Sequence, residues 1–491
     1  MKNTETTRYL CAAAHLDPFF SQQVIQQILH EEYRAVIVPA GLDLFTIVKH
    51  CLNARRRRII RDILLTVILW LAWSYVGYQI EILYYPDPIS GFFLTLMGIF
   101  PSLFFLVAYT IIATESWITQ YEIVAKNLTK GNFHPDCVTL PNEEIIRKKL
   151  SNICDEADSN VVVYSGFSPF VGSGVDLGGW SFALDISKGK EEMGQRLEAQ
   201  PFDVEEIDQF MTHALEKLQL PDLSIRSWLY VNGQEIRDNP QFLPDLLRRP
   251  VSQVDPSVMQ QFLNFPTESI RHYRCIRVMG WQGELILSTF LRFIKIGDNL
   301  FTEVNYFLLT PLKPEYRRID TLSSSPSLRH RLQTLGGALL SSFFLWPFAP
   351  FSLLLTLFNA INRQLSRGKI KRLIRENPVF DYGAMTSIRE MASSNLYRQY
   401  FQKLDKEMYL KIIQKSILDG IIHFLDQHNI NTEEFKERSS TILNNGVMVT
   451  GGSIEAQNLT VGDRAKSVLN NITQPIGAKA SSESRKTSSL N

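Results

Sequence analysis

No motif in this chain names a reaction. There is no GK[ST] phosphate loop, no HExxH pair and no GxSxG elbow. Five cysteines, at positions 11, 51, 137, 154 and 275, show no CxxC or other metal spacing. An odd, dispersed set argues against a disulfide framework and suits a reducing compartment. Excess charge of one sign is also missing, with 51 basic residues against 50 acidic ones. That balance provides no global field to draw in nucleic acid or an acidic substrate. The expectation is therefore no metal, no cofactor, no nucleic-acid partner and no catalytic residue that can be named. A secretory signal is lacking as well, because residues 1–58 begin polar and contain no apolar run with a cleavage site.

What the chain does contain is apolar runs. Ile63–Ile80 is eighteen residues without a charge, and Ile89–Ala113 is twenty-five more. Each is long enough to cross a hydrocarbon core of about 30 Å as a helix. Arg55, Arg56, Arg57, Arg58 and Arg61 crowd the start of the first run, and the short connection Tyr84–Pro88 has no Lys or Arg. Basic residues stay on the cytoplasmic side, so the N-terminus is expected inside and the turn outside. The same arginines could meet anionic inner-leaflet head groups. Neither run has a central ionisable residue of the kind that marks an ion path, which weighs against a transporter or pump.

A third apolar stretch, 336–362, has Pro347 and Pro350 at its middle and basic residues on both sides. Two prolines three apart should break a helix there. Basic flanks on both sides favour a re-entrant hairpin with both ends cytoplasmic, with a kinked full span as the alternative.

The remaining segments read as globular structure. Asp17-Pro18 opens a helix with Phe20, Val24, Ile28 and Leu29 on one side. Val36–Val38 reads as a short strand, Val161–Tyr164 as a second, and Asp203 with Glu206 as a capping box. Ile225–Val231 ends at Asn232-Gly233, a hairpin signal, and Tyr273–Leu309 reads as a three-strand meander. A mostly antiparallel sheet covered on one face is expected. Leu404–Gln427 carries an apolar helical stripe. Short β-like pieces in 447–474 suit self-association, and the Ser-, Lys- and Ala-rich tail 475–491 has little to bury.

One segment stands out as a candidate site. Ser165–Trp180 is glycine-rich and follows a strand, so its amides could cradle a phosphate. Gly172, Ser173, Gly174 and Asp176 are the candidate ligand-binding residues. The loop leads into a strand and not a helix, unlike a dinucleotide fingerprint. The plainer reading is a tight inter-strand loop whose glycines supply positive φ. Arg271–Arg274 with Arg277 forms a basic-aromatic strand that could face phosphates or be ordinary surface charge.

Several stretches resemble a family of uncharacterised bacterial membrane proteins with no assigned activity. They are Arg8–Ala13, Arg55–Asp62, Phe170–Gly174 with Gly179–Ala183, Arg271–Phe293 and Ile442–Gly446. The resemblance implies a bacterial inner-membrane setting and no catalytic residues. The expected architecture is an α+β cytoplasmic domain with an N-terminal two-helix transmembrane hairpin, a third proline-broken membrane segment and a C-terminal helical region. Its expected parts are 1–58 (small N-terminal unit), 59–113 (hairpin), 114–335 (α+β domain), 336–362 (third segment), 363–446 (helical region), 447–474 (β-like) and 475–491 (tail). The expected function is a multi-pass membrane-anchored binding or scaffold protein. An oligomeric pore, or an enzyme using 165–180 on a nucleotide or lipid, are the alternatives.

Overall fold

The computed structural model describes residues 4–37, 41–84, 99–139, 143–150, 159–192, 195–322 and 326–445. The connection 85–98, the β-like pieces of 447–474 and the tail 475–491 lie outside the described residues. In chain order the helices begin with α1 (Thr4–Leu16), α2 (Pro18–Ile25), α3 (Leu44–Tyr84), α4 (Ile99–Trp117) and α5 (Glu143–Leu150). Strands β1 (Val161–Tyr164), β2 (Val175–Asp185), β3 (Glu191–Glu192) and β4 (Gln195–Arg196) follow. Then come α6 (Val204–Glu216), β5 (Ser224–Asn232), α7 (Pro256–Asn264), β6 (Ile270–Gly280), β7 (Leu285–Ile296) and β8 (Asn299–Leu309). The chain closes with α8 (Leu328–Glu376), α9 (Ile388–Met391), α10 (Tyr400–Gln427) and α11 (Glu433–Asn445).

Six strands form one sheet in the order β1-β5-β6-β7-β8-β2, parallel only between β1 and β5. The meander β6–β7–β8 is its centre, and Leu285 to Phe293 of β7 are buried without alternation. That pattern means both faces are covered, not one as the sequence pattern suggests. Helices α6, α10 and α11 cover the first face, where Ile207, Met211, Ile417, Ile421 and Phe435 pack on Phe182, Leu287 and Val304. The second face is closed by the loop after β1, through Phe170 on Tyr273, Phe290 and Phe307. The apolar stripe of α10 thus meets the sheet, so the C-terminal helices and the sheet share one core.

Two local expectations give way to tertiary structure. Asn232-Gly233 does not make a hairpin, because β5 reaches β6 through a connection that contains α7. Instead Gly233 lets segment 382–384 approach: its N–H donates to the Tyr164 carbonyl and its carbonyl accepts from Tyr382 N–H. A Cβ at Gly233 would lie 2.2 Å from Gly383 N, and one at Gly383 would lie 2.2 Å from the Tyr164 backbone. Asp203 does precede α6, but its side chain makes no cap bond, so the capping box is not formed. Val36 and Ile37 are not in a strand. Asp17 behaves as read, its carboxylate accepting from Phe19 and Phe20 N–H at 2.9 and 3.1 Å.

Three helices are long and apolar enough to cross a membrane: Leu44–Tyr78, Ser102–Ala125 and Leu328–Glu376. Their large side chains point outward, with Trp73 77% and Phe344 69% exposed, far beyond what a water-facing surface tolerates.

The third apolar stretch stays helical through its prolines but its axis turns sharply there, since Trp346 lies at Phe105 while Ser352 is back at Asp62 beside Glu115. α8 runs through Pro347 and Pro350 as one helix of 49 residues. Prolines three apart lie on the same side of a helix, so the lost bonds fall together. Tight packing around them offsets that loss, through Ala338, Ser342 and Ala349 against Leu65, Ala108 and Ile112.

Both ends of α8 nevertheless return to the same folded body. At its start, the Thr334 hydroxyl meets Gln120 and Tyr121 at 3.1 Å each. At its end, Arg363 reaches the His30 Nδ1 at 2.9 Å and Arg367 pairs with Glu32 at 3.0 Å. Arg237 then donates to the carbonyls of Ile374, Arg375 and Asn377 at 2.6, 2.9 and 2.7 Å, capping the last turn. Between these ties, Phe343 and Trp346 contact Phe105 of α4, at ring separations of 4.9 and 5.9 Å. Phe105 stands ten residues from Glu115, or about 15 Å along α4 at 1.5 Å per residue. Ser352, one and a half turns beyond Trp346, is already back at Asp62 (2.5 Å), next to the Arg61–Glu115 pair.

Gly233→Ala and Gly383→Ala should each lower the melting temperature of the detergent-solubilised protein sharply, overpacking of this kind costing about 1–3 kcal/mol. Gly368→Ala, in open space on α8, should instead be neutral or raise it.

Candidate functional site

The loop from Ser165 to Gly174 is organised by one aromatic anchor. Phe170 stacks on Phe290 at 4.1 Å and meets Tyr230 and Tyr273 edge-on at 5.1 Å each. Glycines at 166, 172 and 174 have φ of 84°, 86° and 91°, so the chain can fold tightly on either side of that anchor. Ser173 N–H closes the turn on the Phe170 carbonyl at 3.1 Å. Gly174 lies flat on β8, where a Cβ would sit 2.2 Å from the Leu308 carbonyl oxygen.

The loop amides already have partners. Gly172 N–H donates to the Glu390 carboxylate at 3.1 Å, and Gly178 N–H to Asp176 at 2.7 Å. An internal carboxylate from α9 thus occupies the place where a phosphate cradle would put its anion. Asp176 is exposed at the bulge of β2. Gly172 and Ser173 do line a cleft, whereas Gly174 and Asp176 do not.

That cleft lies between the loop, the start of β1, residues 35–37 and the turn 249–252. Its cavity is about 60 Å³. Arg249 and Arg277 line it together with Ser159, Ser173, Ser252 and Ser288, and no carboxylate is among the described lining residues. Arg249 is held in place by donating to the carbonyls of Ile28 (2.8 Å) and Glu31. Its Nε is buried without a partner. Burial pulls its pKa below the usual guanidinium value. Arg277 Nε lies 3.5 Å from the Ser288 hydroxyl across the β6–β7 pair.

The basic-aromatic strand read from the sequence is β6, and its alternation splits the cluster between faces. Arg274 pairs with Asp208 of α6 on the helix-covered face, beside buried His272. Arg277 and Tyr273 lie on the loop-covered face, where the Tyr273 hydroxyl donates to Glu303 at 3.0 Å. Period-two spacing was the signal that Arg277 and Tyr273 act together. Arg249 carried no comparable signal, because its turn joins the cleft only in three dimensions.

The arginines before the first apolar run are mostly turned inward. Arg58 donates to the Ala14 and His15 carbonyls at 3.2 and 3.1 Å, closing the end of α1. Arg57 donates to His15 Nδ1 at 2.8 Å, so His15 carries its proton on Nε2 and donates to His50 Nδ1 at 2.9 Å. Arg61 pairs with Asp62 and Glu115. Arg55 is half-buried, and Arg56 is exposed.

A buried polar network ties α1 to the sheet. Arg389, fully buried, donates to the carbonyls of Glu284 and Thr310 at 2.9 Å each and to the Ser393 hydroxyl at 2.6 Å. Burial draws its pKa down to about 10. Arg317 meets Glu284 at 2.6 Å. Arg8, also buried, pairs with Asp320 and Glu5 at 2.7 Å each, and Tyr9 donates to Asp320 at 2.5 Å. The β6–β7 turn inside this network holds Trp281 and Gln282 at φ 55° and 57°. Such strain persists only where neighbours over-determine it. Here Thr6 grips the Gln282 carbonyl and Asp405 grips the indole N–H of Trp281.

Residues 179–457 match a protein-family model described as an AbeC-like domain. The chain belongs to the AbeC-like family. The AbeC-like match begins inside β2 and takes in α6 to α11, including the whole of α8. The glycine loop and the α3–α4 pair precede it. Arg249, Arg277 and Ser288 are within the AbeC-like region, while Gly172 and Ser173 stand just outside it. Neither the curated proteins nor the solved structures gave a match. Among the described residues no group of three or more His, Cys, Asp or Glu could hold a metal ion.

Two outcomes follow from this geometry. Phe170→Ala should cost about 3–5 kcal/mol of stability, as for other buried aromatics, while Phe167→Ala, at the fully exposed loop tip, should leave the melting curve unchanged. Burial holds His15 well below the usual imidazole range and brings His272 down to about 4. Unfolded imidazoles take up protons near pH 6.5, so their contribution is complete above that value and is lost as pH falls toward 4. Melting temperature should drop from pH 7 to pH 5, and His272→Gln should flatten part of that slope.

Proposed function

We propose that this AbeC-like protein is a membrane-anchored binding protein with no conduction path of its own. The α3–α4 pair is the anchor, and the sheet with its cleft is the recognition part, facing the cytoplasm. The observation that carries this reading is the double attachment of α8. A helix whose two ends are bound to one folded body enters the membrane and comes back, holding that body flat against the leaflet. Basic residues support the side: Arg55 to Arg61 where the apolar part of α3 begins, and Arg363 to Arg375 at the end of α8, flank the apolar segments on the side of the folded body. Lys369 and Lys371 are exposed there and suited to anionic head groups, at about 1 kcal/mol per basic residue.

The apolar faces of the three helices offer no polar stripe for ions. In the described apolar parts of α3, α4 and α8, Thr66, Thr110, Ser341 and Thr356 turn back on their own helix, and Ser352 crosses to Asp62 at the edge of the apolar part. Full-length protein reconstituted in liposomes should withstand an alkaline wash and retain an encapsulated dye at every protein-to-lipid ratio. Dose-dependent release of the dye would replace the anchor with a pore.

A further inference from the structure

Resting on the binding reading above, we propose that the cleft beside the glycine loop takes one phosphate-sized oxyanion. Arg249 and Arg277 would supply the charge, and the hydroxyls of Ser173 and Ser288 the remaining donors. The observations converge on this chemistry. Two guanidinium groups line a single cavity, and the described residues of its wall include no carboxylate. Four serines share the wall, of which Ser159, Ser173 and Ser288 are buried. Arg249 is pinned through Nη2 to two backbone carbonyls, which fixes the guanidinium and leaves its buried Nε without a partner. A fixed, partly desolvated guanidinium is suited to an oxyanion, since little side-chain freedom is lost on binding and the buried donor gains its missing bond.

Size sets the class of ligand. One water needs about 10–15 Å³ of such space, so a cavity of about 60 Å³ holds roughly four to six waters. That is room for a phosphate or a similar terminal anionic group and not for a whole nucleotide. The rest of the molecule would stay outside. A soluble phosphomonoester and the head group of a phosphate-bearing lipid present the same chemistry, and the flat seating of the domain brings both within reach.

The test uses the full-length protein in a neutral detergent. Inorganic phosphate and glycerol phosphate are titrated while melting temperature is followed, with chloride at matched ionic strength as reference. A parallel series uses nanodiscs with and without phosphatidic acid. A saturable rise with phosphate in micelles assigns a soluble ligand, and a rise confined to phosphatidic acid nanodiscs assigns a lipid head group. Arg277→Gln should weaken the response at least tenfold. Ser252→Phe, a half-exposed wall position whose backbone alone holds β1, should block it without touching either arginine. Arg248→Gln, exposed outside the cleft, should leave it unchanged. Equal shifts with chloride, or wild-type binding in both folded cleft variants, would overturn the proposal. The dye-retention result is independent of it, so loss of the anion site and loss of the anchor are told apart.

Discussion

Arg237 closing the end of α8 is the contact on which the architecture turns. Three carbonyls at the end of α8 and its cap residue Asn377 converge on one guanidinium, at 2.6 to 2.9 Å. An arginine there satisfies the orphan carbonyls of the last turn and complements the negative end of the helix dipole. With Thr334 tied to Gln120 and Tyr121 at the other end, the helix has no freedom to leave the body it starts from. Its apolar middle must therefore project beside α3 and α4 and return.

The same logic of paired attachment recurs inside the folded body. The sheet is closed by helices on one face and by Phe170 on the other, so its central strand β7 is buried on both sides. Segment 382–384, immediately after α8, adds itself to β1 through the Gly233–Gly383 approach. The wall of the cleft is thereby linked, through β1 and Gly172–Glu390, to the chain that emerges from α8. The cleft and the end of α8 thus share one short stretch of backbone.

Periodicity made much of this legible in advance. The apolar runs, the β6–β8 meander and the stripe on α10 are patterns that local spacing alone produces. The first and third runs, the meander and the stripe lie within the helices and strands expected of them, while the start of the second run, residues 89–98, is outside the described residues. What was not legible depends on partners distant in sequence. Pro347 and Pro350 read as a break because an isolated helix loses two bonds there. Packing on Leu65, Ala108 and Ile112 keeps both arms helical, and the axis bends at the prolines where the sequence pattern suggests an interruption. Asn232-Gly233 read as a turn, yet the glycine admits a segment from 150 residues further on, at Gly383. The arginine run inside α3, at the start of its apolar part, read as a membrane-surface charge cluster, although Arg57 and Arg58 point back at the end of α1. Of the candidate site residues, Gly172 and Ser173 reach the cleft because Phe170 pulls them there. Arg249 was silent, since nothing local distinguishes it from Arg248.

The central claim is that α8 enters the membrane and returns. Spin labels placed singly from Leu328 to Lys371 in liposome-reconstituted protein, read by the balance of oxygen and aqueous-reagent accessibility, measure depth directly. The account predicts shallow values at both flanks and one maximum between Phe343 and Phe348. A depth that passes the bilayer centre and emerges on the far side after Asn362 would contradict it.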